Sequence, residues 1–333
     1  EGFPGESLDD QTVLPLGNPW FWDPENIQTS QQARAPRLYD AALFLKELQD
    51  DFYQRMDQAI REAGYEGLVM ASNWQAGRST SHFYNLHSDA QFDVIDRHNY
   101  FGGRNMGGSM LRIPGGGSLS AGMQQVTDLP FSLSEWIHVF PNQWGGEGPA
   151  IIGAYGLGLQ GWDISFMFQN GDNGGYNTVL GAQRWEVTAP QVMAPFAAIA
   201  RQVRRMDVDQ SEVVAAMNVD LASRHEGTQD FEDQVRQIYD IKVFDADKIP
   251  AQTLAVARTV VKFNQTPTPT ETFHLESYRD AEGALISSNE QLRWMPGENA
   301  ESGWFSINTP ATQGVIGFAE GTRHELADTV IEP

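Results

Sequence analysis

The residues best suited to chemistry in this chain are carboxylates, imidazoles and hydroxyls that lie beside short apolar runs. Glu135 stands in Ser134-Glu135-Trp136, directly after Phe131-Ser132-Leu133. Asp96-Arg97-His98-Asn99-Tyr100 follows Phe92-Asp93-Val94-Ile95, and Asn73-Trp74 follows Leu68-Val69-Met70-Ala71. Trp162-Asp163 lies within a fourth run that continues to Phe166. A carboxylate that receives hydroxyl and ring N–H groups stays ionised and can attack an electrophilic carbon. The competing reading of Glu135 is a strand-end acid in a surface salt bridge. Aromatic faces beside hydrogen-bonding groups, as in Asn73-Trp74, Glu135-Trp136, Gln143-Trp144 and Trp162-Asp163, suit sugar rings, which present C–H faces and hydroxyl edges. The same pairs also fit core packing with one polar end to each ring.

Other chemistries find less support. The seven histidines show no zinc-protease spacing with an acid, and no Gly-x-Ser-x-Gly elbow is present. Gly115-Gly116-Gly117 lacks the lysine of a phosphate loop. With no cysteine, disulfides, thiolate metal sites and a cysteine nucleophile are excluded. No metal or cofactor is expected. Glu147 reads as the first residue of a helix, where an acid favours the dipole. Asn264-Gln265-Thr266 matches the glycosylation pattern and is too short to carry weight.

These residues need elements to hold them. Tyr39 to Ile60 repeats apolar residues at helical steps and stops at Gly64. Strands are expected at 68–71, 92–95, 131–133 and 160–166, with helices at 148–159 and 190–206. A long glycine-rich loop, and no helix, is expected between the second and third strands. Short apolar strands separated by helices indicate parallel βα units, whose chemistry lies at the carboxyl ends of the strands. Beyond about residue 207 the pattern changes. Strands are expected at 211–219 and 242–244 with a helical stretch near 231–238, then β-type runs at 254–257, 260–263, 285–287, 303–307, 314–318 and 328–331. Residues 1–36 have no period, and Pro19-Trp20-Phe21-Trp22-Asp23-Pro24 within them could form a lid or a self-packed loop.

Asn-Trp, Asp-x-His-x-Tyr, Ser-Glu-Trp and Gln-Gly-Trp-Asp, in this order, resemble strands five to eight of the clan A glycoside hydrolases. The resemblance covers about residues 1–206. It implies an α/β fold, namely the C-terminal half of a (β/α)₈ TIM barrel, followed over 207–333 by a partial, antiparallel, β-sandwich-like domain. It further implies a retaining glycosidase acting on a β-linked oligo- or polysaccharide, with Glu135 as nucleophile. His98 and Tyr100 would contact the sugar or the nucleophile. Asn73 and Trp74 would line the site with Trp136, Trp144 and Asp163, and Trp162 would form the platform under the ring. Glu1, in Glu1-Gly2-Phe3, fits the position of the acid/base or its neighbour. A non-catalytic carbohydrate-binding protein on the same scaffold is the alternative.

The chain has 333 residues and a net charge of −22. A field of that sign repels phosphate backbones and anionic lipid surfaces, so neither nucleic acid nor membrane is expected as a partner. No run of about 18 apolar residues occurs. An extracellular or periplasmic location is expected, and the sequence leaves the oligomeric state open.

Overall fold

A computed structural model describes residues 4–13, 35–73, 79–102, 108–139, 142–169, 185–238 and 241–333. The expected lid at 19–24, Glu1 and Trp74 lie outside the described residues.

The first long element is α1 (Ala35–Glu62). It turns Leu38, Ala42 and Lys46 inward and ends before Gly64, whose φ of +92° suits a residue without a side chain. The chain then runs without strand structure through Leu68–Ala71, contrary to expectation. Asp93 holds it at Val69, its amide donating to Val69 O at 3.1 Å and its carboxylate accepting from Val69 N at 2.8 Å, and the Tyr65 hydroxyl donates to Leu68 O at 3.1 Å. Leu68 and Met70 remain at least half exposed, so the apolar run is uncovered on one side. A helix not anticipated from periodicity follows, α2 (Ser79–Asp89), which buries Phe83, Tyr84 and Leu86. Its histidines and serines hid a face that tertiary contacts bury.

The central sheet forms next. Strand β1 (Ile95–His98) resumes as β2 (Phe101–Gly102), and β3 (Phe131–Trp136) resumes as β4 (His138–Val139). Between them lie two 3₁₀ segments, Met110–Arg112 and Gly117–Gln124, the latter deeply buried where a loop was expected. Helix α3 (Glu147–Ile151) continues as a π-helical stretch, Ile152–Leu159, and leads to β5 (Ile164–Met167). Strands β1, β3 and β5 pair in parallel in the order β1-β3-β5, and β2 pairs in parallel with β4. This is the αβ alternation expected from the sequence. The sheets among the described residues are small and not closed.

The expected helix over 190–206 is two pieces, α4 (Pro190–Met193) and α5 (Phe196–Arg205), separated at Ala194-Pro195 because proline cannot continue the amide ladder. Strand β6 (Val214–Val219) leads to α6 (Leu221–Glu226), capped by Asp220 accepting from Ser223 N at 2.8 Å. The expected helical stretch at 231–238 is instead β7 (Asp233–Ile238), hairpinned to β8 (Ile241–Ala246). Its alternation (Phe231, Asp233 and Val235 inward) is the two-residue period of a strand. Residues 251–255 form a 3₁₀ turn, and β9 (Arg258–Phe263) pairs in parallel with β6. The remaining strands are β10 (Leu285–Ile286), β11 (Leu292–Met295), β12 (Trp304–Asn308) and β13 (Gln313–Gly317), which make an antiparallel four-stranded sheet, and the pair β14 (His324–Glu325) and β15 (Val330–Ile331).

One apolar cluster includes Ile95, Phe131, Leu133, Tyr155, Met217, Phe244, Val261, Trp294 and Phe305. Trp294 joins the four-stranded sheet to the rest. It is fully buried, donates Nε1–H to Leu111 O at 2.8 Å, and packs on Tyr155 with ring centres 4.9 Å apart.

Candidate functional site

In a regular strand Ser134 and Glu135 would point to opposite faces. A bulge changes this. Arg97 lies opposite Leu133, yet His98 lies opposite Glu135, so Ser134 is an extra residue on β3. Both side chains consequently reach His98: Ser134 Oγ lies 3.1 Å from Nε2 and Glu135 Oε2 lies 3.2 Å from Nδ1. Tyr100 Oη donates to Glu135 Oε2 at 2.7 Å. Behind Ser134, Asp96 accepts the hydroxyl at 2.6 Å on Oδ2 and the Ser134 amide at 3.2 Å on Oδ1. Asp96 and His98 share a face because they are two residues apart on β1.

The constellation lies at the carboxyl ends of β1 and β3. Asp96 and His98 are buried, Tyr100 is 4% exposed, and the Glu135 side chain is 33% exposed. The carboxylate is thus gripped from below and open to a ligand from above. Tyr100 is braced by Phe168 at 6.2 Å in an edge-on contact, within a small cluster that includes Ile137, Val139 and Val187. A cation completes the base. Lys242 of β8 is 1% exposed and donates Nζ–H to His98 O at 2.7 Å, while its amide donates to Asn99 Oδ1 at 3.1 Å.

Among the sequence candidates, Glu135, His98 and Tyr100 come together. No family model, curated protein or solved structure matches the chain.

The other candidates fall elsewhere. Trp162 and Asp163 lie directly before β5, at its opening and so away from the carboxyl end where the site residues gather. Asp163 accepts the Phe131 amide at 2.9 Å and donates its own amide to Phe131 O at 3.0 Å, which fixes both residues where the parallel strands begin. Glu135 is four residues further along β3, about 13 Å at ~3.3 Å per residue. Trp162 is 4% exposed and packs on Phe131 at 5.0 Å, so it is core and not a sugar platform. It presses on Gly122 and Gly156, where an added Cβ would meet the ring at 2.9 and 2.7 Å. Trp136 also points into the core, donating Nε1–H to Ser165 Oγ at 2.8 Å. Trp144 packs against Phe318 at 4.6 Å. Asn73 is exposed, beyond the segment that fails to form a strand.

Sequence reasoning missed the roles of Ser134, Asp96 and Lys242. The two-residue spacing of Asp96 and His98 was a usable signal. Nothing local marked Lys242, which arrives from a strand 144 residues away.

Glu147 begins α3 as expected, and it does more than favour the dipole. It accepts from Ser109 Oγ at 2.8 Å and Met110 N at 2.9 Å, clamping the 109–111 turn. Burial pushes its carboxyl up to about 7. Nearby, burial pulls His138 down to about 4, with its Nε2 3.0 Å from Gly108 O.

Among the described residues no group of three or more His, Cys, Asp or Glu could hold a metal ion. No helix among them is long and apolar enough to cross a membrane.

Proposed function

We propose that the chain is a glycosidase that cleaves a β-linked oligo- or polysaccharide by retaining double displacement, with Glu135 as the nucleophile. The observation supporting this is the grip on Glu135: one oxygen receives the Tyr100 hydroxyl and faces His98 Nδ1, while a third of the side chain stays open at the carboxyl end of a parallel strand. Such donors hold a carboxylate ionised and aimed, the condition for attack on an anomeric carbon. Two carboxyls about 5–5.5 Å apart are needed for retention. Glu1 is the sequence's candidate for the second, the acid that protonates the leaving oxygen. The α/β alternation supports the finer proposal that β1, β3 and β5 belong to a (β/α)₈ barrel, and the acidic composition supports a neutral ligand and an extracellular or periplasmic setting.

The test is Glu135→Gln against a panel of aryl β-glycosides and β-linked polysaccharides. Turnover should fall by at least about 10³-fold, as for loss of a covalent nucleophile, with sugar binding retained. A 2-fluoro glycosyl substrate should leave a sugar adduct on Glu135 by mass spectrometry. Undiminished hydrolysis in the variant removes the assignment. Sugar binding without hydrolysis in the parent selects a non-catalytic carbohydrate-binding protein.

A further inference from the structure

We propose that Asp96 and Ser134 are positioning residues that hold His98 as a doubly protonated imidazolium beside Glu135. The protons available around the ring require this state. Asp96, as a carboxylate, only accepts, and its Oδ2 lies 2.6 Å from Ser134 Oγ. A serine hydroxyl has one proton, so once it is given to Asp96 only lone pairs remain for His98 Nε2 at 3.1 Å. Nε2 therefore bears a proton. On the other side of the ring, Nδ1 faces Glu135 Oε2 at 3.2 Å. One proton must lie between them, because two bare lone pairs at that distance repel. Imidazole is the stronger base, by about two pKa units in model compounds, so the proton resides on Nδ1.

The charged groups around the ring agree with this. Asp96 lies behind it through Ser134, Glu135 lies in front with the Tyr100 hydroxyl, and the Lys242 ammonium is turned to the His98 carbonyl. Arg97 makes its hydrogen bonds and its ion pair with Ser72 O, Asp96 O, Gln124 and Asp89. The two Asp96 oxygens have separate duties, and this makes the device testable. Oδ1 takes the Ser134 amide, so in Asp96→Asn the amide oxygen must occupy that position. The Asn NH₂ then faces Ser134 Oγ and donates to it. The hydroxyl turns its proton to Nε2, which must give up its own. His98 becomes a neutral Nδ1–H tautomer, still donating to Glu135.

The function of the ion pair rests on the glycosidase reading; the protonation state does not. The experiment is ¹⁵N-histidine NMR of the full chain at neutral pH, with the His98 signals assigned by their loss in His98→Gln. In the parent both ring nitrogens of His98 should resonate as protonated. In Asp96→Asn, Nε2 alone should move to the unprotonated range, and in Ser134→Thr both should stay as in the parent. Where hydrolysis is measurable, Asp96→Asn should lower kcat about 10- to 100-fold with KM little changed, and Ser134→Thr should restore most of what Ser134→Ala loses. A bare ring nitrogen on His98 in the parent overturns the proposal, even if the enzyme hydrolyses glycosides. An imidazolium in a parent that hydrolyses none removes the proposed function and leaves the proton assignment standing.

Discussion

Residues of one chemical type do different work here according to which end of the sheet they reach. Tyr100 spends its hydroxyl on Glu135 at 2.7 Å while its ring packs on Phe168. Tyr100→Phe keeps the packing and deletes the bond. We expect kcat to fall about 10- to 100-fold with no more than ~1 kcal/mol lost in stability. An unchanged kcat would mean that Glu135 does not use the hydroxyl. Trp162 is the opposite case. Truncating it to alanine empties a site among Phe131, Gly122 and Gly156, and about 3–5 kcal/mol of stability should be lost. Trp162→Phe should retain turnover and sugar binding per folded molecule. Weaker sugar binding by a well-folded Trp162→Phe would restore its role as a platform.

At the scale of elements, the turn over Gly108–Leu111 is held by two groups whose burial disfavours their charged forms. Glu147 lies near 7 in the fold against an ordinary 4.5, so the folded protein binds more protons between those values. Its contribution to stability is complete below about pH 4.5 and is lost as pH rises towards 7, an effect on the order of 3 kcal/mol. His138 has the reverse sign. Held near 4 against 6.5, it costs stability as pH falls through that window. The two slopes oppose each other between about pH 4.5 and 6.5. Urea unfolding of Glu147→Gln should therefore show stability rising with pH there relative to the parent, and His138→Gln should show it falling. Parallel curves for parent and both variants would contradict the assignment. Glutamine suits position 147 because its oxygen can accept from Met110 N while its NH₂ donates to Ser109 Oγ.

For the whole molecule, the larger apolar cluster, from Phe83 to Ile307, couples the central sheet to the four-stranded sheet through Trp294, Tyr155 and Leu111. Trp294→Ala should lose about 3–5 kcal/mol. Hydrogen exchange should show the amides of β1 and β3 losing protection together with those of β11 and β12. Melting of β11 and β12 at a lower urea concentration than β1 and β3 would show that the contact is only a docking surface. The long stripe of Phe44, Leu48, Phe52, Met56 and Ile60 on α1 stays exposed and takes no part in this cluster.

The αβ alternation is legible in the residue order alone, because side-chain periods of two and near four follow from local backbone geometry. So are the polar tips Glu135, His98 and Tyr100, since a buried apolar strand that ends in ionisable groups must bring them to an edge. Trp162 and Asp163 read as site residues because an aromatic-acid pair looks the same at the opening of a strand as at its carboxyl end. Periodicity missed α2 and the strand character of 233–238, where buried polar side chains such as His82 and Asp233, 2.8 Å apart, blur the hydrophobic period. The bulge of β3 at Ser134, through which serine and glutamate meet one imidazole, arises from the pairing of β3 with β1. A bulge is a property of two paired strands, and no residue of either strand encodes it alone.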